Sequence, residues 1–443
     1  MRFRAPVRRP GAEPAGPAWP GKIGGDLVTL FLAGDVMLGR GVDQILPYPG
    51  DPKLSESYIK DPRAYVDLAE AANGVIPLPV DFPWPWGDAL DVLDAAAPDA
   101  RILNLETAVT QNDETAPGKE IQYRMHPASL PGLAAARPHV CVLANTMCWT
   151  MAAAGWSRPS TPWRTDAGLR SAGAGRDAHE ARRPAIVHVV GGRRVLVFSV
   201  GMASSGIPGN WTATAQRSGV DFVAEPSHVA AASIAARPRP VKRPGDIVVV
   251  SVHWGSNWGY HVPRDQLRFD HALIDGDADV VYGHSSHHPR SLESYRGKLI
   301  THGCGDLIND YEGIGGREEY RDDVRLLYFV TVGQGDGRFH DVRIAPMRSR
   351  RMRLERATVE DSRWVQDALD RISRAYGSRV ECRVAVFRRL GRGHRPGCGG
   401  GLGRRGAVRE GDQEATAAQA ADFLGRGRGQ SVLQRQTRAP AAR

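Results

Sequence analysis

The sequence predicts an α/β fold, and three observations carry that expectation. From residue 26 onward, short apolar runs recur, each closing in a polar or glycine-containing turn. Helix-like stretches separate them, and this alternation is how α/β architectures read in sequence. Most of the runs are apolar throughout rather than alternating, as strands covered on both faces are.

Taken in order, the predicted strands are residues 27–35, 101–106, 139–145, 194–200, 246–255, 277–284, 298–306 and 326–332. Between the first two lies a long insert, residues 41–85, rich in Pro and Asp. An insert of that length beside strand ends is often a lid or a substrate wall. A helix-like stretch follows from Trp86. Beyond Pro346 comes a basic run starting at Arg348, then a helix predicted from Val359 to about Tyr376. Its apolar residues Trp364, Val365, Leu369 and Ile372 fall at helical spacing. The expected organisation is a flexible segment over 1–25, one folded domain over 26–381, and a tail over 382–443. The tail is rich in Gly, Arg, Ala and Gln, and its few large apolar residues cannot offset the entropy of ordering a chain.

With 443 residues, 42% hydrophobic and 24% charged, the chain has the composition of a soluble globular protein. It carries no run near the ~20 apolar residues of a membrane helix, so no membrane anchor of its own is expected. Residues 1–22 mix Arg with Pro and Gly and lack the apolar stretch of a secretory signal, which makes a cytoplasmic location the expectation. Five scattered cysteines (Cys141, Cys148, Cys304, Cys382, Cys398) form no C-x-x-C pair, which fits reduced thiols. The net charge of +9 resides largely in the two tails, so no nucleic-acid partner is expected.

Strand ends are where an open α/β sheet gathers ligands. Asp35 closes the first predicted strand and Glu106 the second. Either could equally be a turn or cap carboxylate. His253, in Val252-His253-Trp254-Gly255, ends an apolar strand where a buried imidazole needs a partner; a hydrogen-bonded structural histidine is the plainer alternative. The turn Gly283-His284-Ser285-Ser286-His287-His288 concentrates three of the chain's 14 histidines in five positions, a pattern suited to metal ligation by His284 and His287.

These segments together resemble the CapA family, linked to poly-γ-glutamate capsule synthesis. The resemblance rests on Gly34-Asp35-Val36-Met37-Leu38-Gly39-Arg40, Asn104-Leu105-Glu106, the stretch from Gly173 to Pro184, Val252-His253-Trp254-Gly255, the Gly283-His284 turn, and Tyr295-Arg296-Gly297-Lys298 leading to Gly305-Asp306. It covers roughly residues 26–380 in the family's order. What it implies is a four-layer sandwich of the calcineurin-like metallophosphoesterase kind with two divalent metal ions on the strand-end loops. Such ions polarise a phosphoryl oxygen and acidify water. Carried over by position, Asp35, Glu106, His253, His284 and His287 are the expected metal ligands, with His253 and His284 in catalytic roles. Arg40 and Arg124 are candidates to meet an anionic substrate, or form structural or surface salt bridges. The implied partners are an anionic polymer or a phosphorylated small substrate, together with capsule-synthesis proteins.

One segment departs from the family. After Val142-Leu143-Ala144-Asn145 the family continues with a second Asn, a His, and an Asp two residues on. This chain reads Thr146-Met147-Cys148-Trp149-Thr150 instead. A one-base deletion would account for the change: with codons chosen as AAC-AAC-CAT-GTG-CTG-GAC-TAT, loss of one A spells the observed residues from Asn145 to Thr150. The frame is restored near Ala167-Gly168-Leu169, and the tail after Glu381 is either a further shifted segment or low-complexity disorder. Thr146 and Met147 then stand where the family has a metal-ligating Asn and an assisting His, so a weakened or empty metal site is expected. Met37 likewise stands where the wider superfamily often has His, a departure that CapA-like sequences share. Three readings follow: a CapA-like metal-dependent hydrolase, a non-catalytic accessory protein binding an anionic capsule polymer, and a damaged product that folds poorly because Pro159 and Pro162 break a helix.

Overall fold

A computed structural model describes residues 27–112, 121–147, 169–381 and 386–389. The expected segment over 1–25, the altered stretch beyond Met147 up to 168, Cys148, Cys382, Cys398 and the tail apart from 386–389 lie outside the described residues.

Two sheets form the centre. The first, ten-stranded among the described residues, runs in the order Ser378–Glu381, Val386–Arg389, Phe339–Arg350, Val324–Gly333, Leu27–Val36, Ala100–Leu105, Val140–Val142, Arg170–Ala172. Asp306–Ile308 also pairs with Leu27–Val36, and Arg353–Arg356 with Phe339–Arg350. The second has seven strands, Phe222–Val223, Arg194–Met202, Ile247–His253, Val280–His284, Lys298–Thr301 and Leu292–Tyr295 in order, with Ala185–His188 beside Arg194–Met202.

Side-chain alternation decides how the sheets stack. Val28, Leu30 and Leu32 point inward and share a buried cluster with Val195, Val197, Val249 and Val280 of the second sheet. Phe31 and Ala33 point the other way, into a cluster with Tyr65, Val66 and Leu68 of the helix Arg63–Asn73 and Val92 and Leu93 of the helix Ala89–Ala96. On the far side, Leu196, Phe198, Val248 and Val250 meet Ala231 and Ile234 of His228–Ala235 and Phe269 and Leu273 of Arg264–Asp275. The layers are therefore helix, sheet, sheet, helix, a four-layer α/β sandwich as the sequence predicts. The strands read as unbroken apolar runs because both faces of each sheet are covered. Each fully buried Val, Leu or Phe contributes about 1.5–3 kcal/mol relative to exposure.

The helix Val359–Ser373 starts on a capping box, Thr358 with Asp361, and a 3₁₀ turn over Arg374–Tyr376 completes the predicted span. Val365 and Leu369 close one end of the inter-sheet core. Within the stretch that composition assigns to the tail, the backbone of Val386–Arg389 pairs antiparallel with Phe339–Arg350 and Ser378–Glu381. A Val-Phe step has the strand propensity that its Gly-rich surroundings lack.

The predicted strand over 298–306 divides in two. Lys298–Thr301 belongs to the second sheet, and Asp306–Ile308 belongs to the first, parallel to Leu27–Val36 with Asp35 opposite Asp306. The chain crosses between sheets through Gly303 and Gly305, the latter at φ 76°. Apolar periodicity cannot register such a change of sheet, since both halves are buried.

Candidate metal centre

The parallel strands of both sheets deliver their C-terminal ends to one edge of the sandwich, and the polar residues gather there. Asp35 lies at the shared point of two groups. One comprises Asp35, His253 and His284, the other Asp35, His287 and Asp306, and in each group one ligand atom per residue lies within 4.8 Å of the others. The first group draws on both sheets through strand ends. The second closes through the turn after His284 and through the crossover that brings Asp306 beside Asp35.

Local backbone makes this approach possible. A Cβ on Gly34 would lie 1.7 Å from the Gly305 carbonyl oxygen, so only glycine lets the two segments touch. The Asp35 amide donates to that same carbonyl at 2.9 Å. Ser285, at φ 99°, turns the chain sharply so that His284 and His287 serve different groups. A non-glycine residue there carries on the order of 1–3 kcal/mol of strain, the kind that functional turns retain.

The donor set suits a hard or borderline divalent cation. Burial, with Glu106 and Asp306 adding repulsion, raises the Asp35 carboxyl well above the usual range. Burial, with His253 beside it, pushes the His284 imidazole far below its ordinary value, so it is neutral and able to ligate. Burial disfavours charge on both members of the His287–Asp306 pair. Their mutual attraction nonetheless prevails, raising His287 and lowering Asp306. Three carboxylates crowded into a buried pocket are what a bound cation relieves.

The two groups differ in readiness. His287 Nδ1 stands 3.0 Å from Asp306 Oδ1, and Asn309 Nδ2 donates to Asp306 Oδ2 at 2.6 Å. In the other group His253 Nδ1 and His284 Nδ1 face each other at 2.7 Å, while His284 Nε2 meets Ser251 Oγ at 2.6 Å. Two nitrogens sharing one tetrahedral ion at about 2.1 Å stand about 3.4 Å apart, so these rings must separate slightly to hold one.

Behind the ligands, Asn104 Nδ2 donates to Asp35 Oδ1 at 2.7 Å and reaches Glu106 Oε2 at 3.2 Å. Asn145 Nδ2 donates to Asn104 Oδ1 at 2.9 Å and to the Leu105 carbonyl at 2.8 Å. That amide therefore orients Asn104. Glu106 lies 3.5 Å from His253 Nε2 and accepts from Thr146 Oγ1 at 2.6 Å. Met147 joins Met37, Tyr123 and Tyr311 in a small apolar cluster along the same cleft. A thioether there carries no exchangeable proton.

The sequence-predicted anion contacts are both engaged elsewhere. Arg40 lines the cleft, but it is buried and pairs with Glu56 Oε1 at 3.0 Å and with Asp310 at 2.5 Å and 2.8 Å. Its guanidinium stacks 3.7 Å from the Tyr65 ring centroid. Arg124 donates to the carbonyls of Asp51 at 2.9 Å and Asn112 at 3.3 Å. Sequence reasoning did not single out Asp306, Asn104 or Asn309. The Gly305-Asp306 step following an apolar strand was the available signal for the first.

The family model for bacterial capsule synthesis protein PGA_cap matches residues 29–311. In each of two Mycobacterium tuberculosis strains, a relative bearing the name probable polyglutamine synthesis accessory protein is 50% identical over 359 residues, which is 81% of this chain and 94% of the relative. The PGA biosynthesis protein CapA of Bacillus subtilis is 32% identical over 98 residues, 22% of this chain and 24% of that one. A solved Mycoplasma pneumoniae structure, titled as a novel phosphatase, aligns with TM-score 0.39 and 11% identity over 76% of this chain and 97% of that one. Among the described residues no helix is long and apolar enough to cross a membrane. On the extent of the family match and the near full-length relatives, the chain belongs to the bacterial capsule synthesis protein PGA_cap family.

Proposed function

We propose that this protein serves poly-γ-glutamate capsule synthesis through a metal-dependent, hydrolase-type site centred on Asp35, acting on an anionic polymer or a phosphorylated small substrate. The observation that carries this reading is Asp35 shared between two convergent ligand groups. Asp35, His253 and His284 would hold one divalent ion, and Asp35, His287 and Asp306 the other. Bound ions would supply Lewis acidity toward the scissile group. The chain's own residues do the rest. Asn104 and Asn145 fix the Asp35 carboxylate, and His253, lining the cleft with Nε2 turned to Glu106, is placed to hold or pass a proton. Arg40 holds the insert wall at Glu56 and Tyr65, and its charge is taken up by Glu56 and Asp310.

A second reading, a non-catalytic accessory protein that holds the polymer, is favoured by Met147 and Thr146. One contributes no proton, and the other ties up Glu106. Metal content of purified protein, with hydrolysis of p-nitrophenyl phosphate and of poly-γ-glutamate, separates the two. The hydrolase reading expects bound metal that Asp35→Asn removes, and turnover that rises in a Thr146→Asn/Met147→His variant. Polymer binding that persists after chelation, with no metal in either form, supports the accessory role and sinks the first. The one-base deletion proposed for the stretch beginning at Thr146 is checked by the gene's nucleotide sequence: an Asn-Asn-His codon run in another frame supports it, and unrelated codons dismiss it.

A further inference from the structure

Arg325, on the strand Val324–Gly333, is 2% exposed. A buried guanidinium normally faces a carboxylate, because an uncompensated charge in the interior is costly. Arg325 lies near enough to Asp306, Asp322 and Asp323 for its charge to act on them, but its one side-chain hydrogen bond runs from Nη2 to the side-chain carbonyl of Asn309, 2.8 Å away, while Nε and Nη1 find no hydrogen-bond partner among the described residues. Asn309 is itself 2% exposed. Its Oδ1 also accepts from the Tyr311 amide at 3.2 Å, and its Nδ2 donates to Asp306 Oδ2 at 2.6 Å. The opposite carboxylate oxygen of Asp306 stands 3.0 Å from His287 Nδ1.

The amide of Asn309 has two orientations related by a half turn, and they differ in what they offer Asp306. With the carbonyl toward Arg325, the NH₂ meets the carboxylate. Flipped, the carbonyl would meet the carboxylate and the NH₂ would meet the guanidinium, donor against donor. Arg325 and the Tyr311 amide both oppose the flip, and Arg325 is the charged and closer of the two donors. It sits two side chains from the centre and does not line the cleft, whereas Asp306 depends on the donor that this orientation supplies.

We propose that Arg325 is a positioning residue for the metal centre: through Asn309 it fixes the Asp306 carboxylate against His287. The proposal rests on the reading of Asp35, His287 and Asp306 as ligands. Outer partners of this kind typically contribute 10–100-fold to metal affinity. A purely structural Arg325 would affect folding without coupling to Asn309.

The test uses the full chain with Arg325→Met, Arg325→Lys, Asn309→Leu and the double variant Arg325→Met/Asn309→Leu. Mn²⁺ affinity is measured by titration calorimetry. In chelator, the ¹⁵N resonances of the His287 ring are followed against those of His302 as a remote reference. Each of Arg325→Met and Asn309→Leu should weaken Mn²⁺ about 10–100-fold. The double variant should be no weaker than the poorer single one, and Arg325→Lys, which keeps a donor, should fall between. His287 signals should move in both singles while His302 signals stay. Additive losses in the double variant, or unchanged Mn²⁺ affinity and unchanged His287 signals in Arg325→Met, would overturn the proposal. Should Arg325→Met not fold, Arg325→Lys and Asn309→Leu decide by the same criteria. Should the unsubstituted protein take no Mn²⁺, the metal reading fails, and the His287 signals alone decide whether the relay exists.

Discussion

Replacing Asp35 by Asn should stabilise the metal-free protein while abolishing its response to metal. Asp35 and Asp306 place carboxylate oxygens within 4.8 Å of each other in the interior. At an effective dielectric of about 20, two unit charges at that separation repel by about 3 kcal/mol. Protonation of Asp35, whose carboxyl burial pushes up, relieves part of this, so a gain of about 1–3 kcal/mol is expected. The Asn104 amide, 2.7 Å from Asp35 Oδ1, can still donate to an asparagine oxygen, so the hydrogen bond survives the exchange. The sign with pH follows from the raised carboxyl. Its penalty is absent below the unfolded value near 3.8, grows as pH rises toward the folded value, and is fully present above it. The variant's advantage should therefore vanish in acid. Thermal unfolding in chelator at neutral pH should show a melting temperature raised by about 2–6 °C for Asp35→Asn. With added Mn²⁺ the unsubstituted protein should gain stability by mass action and the variant should not. A variant that melts lower than the parent in chelator, or that still shifts with Mn²⁺, would refute the placement of Asp35 as the crowded, shared ligand.

Arg40→Met leaves Glu56 and Asp310 buried without their cation and should lose about 3–5 kcal/mol in urea unfolding. Glu56→Gln, which removes one of the two charges instead, should lose less. Gly34→Ala drives a Cβ into the Gly305 carbonyl; loss of bound metal and a lowered melting temperature are expected, whereas an unchanged melting curve would contradict the close approach of the two segments. Asp370 accepts from Arg374, Arg379 and the Val380 amide; these contacts outweigh burial and hold its carboxyl below the usual range. A depressed carboxyl stabilises above about pH 4 and loses that contribution as pH falls through its folded value. Asp370→Asn should thus weaken the protein by about 1–2 kcal/mol at pH 7 and much less near pH 2, read by denaturant midpoints.

The apolar runs made the layering legible because both faces of each sheet are buried, and unbroken runs such as residues 247–253 advertise that directly. The strand-end positions of Asp35, His253 and His284 were readable for the same reason, since each closes such a run. Asp306 was not, because its place depends on the chain leaving one sheet for the other after Thr301, and hydrophobic pattern is blind to which sheet a strand joins. Arg40 illustrates a different gap. Sequence places a guanidinium beside Asp35 but cannot show that Glu56, 16 residues on, and Asp310, 270 residues on, already surround it. Asn309 and Arg325 belong with these, since no spacing rule marks a contact between residues 16 apart across an irregular turn.

The change of sheet between Thr301 and Asp306 also fixes when the centre can exist during synthesis. Asp35 is among the first folded residues to leave the ribosome, while the carboxylate that faces it across the register is added far later. An N-terminal fragment ending at Leu105 carries only Asp35 of the five residues in the two ligand groups. A chain released before Asp306 therefore exposes Asp35, His253 and His284 without the segment that seals them. The ion proposed for Asp35, His287 and Asp306 can therefore bind only once that crossing has been made.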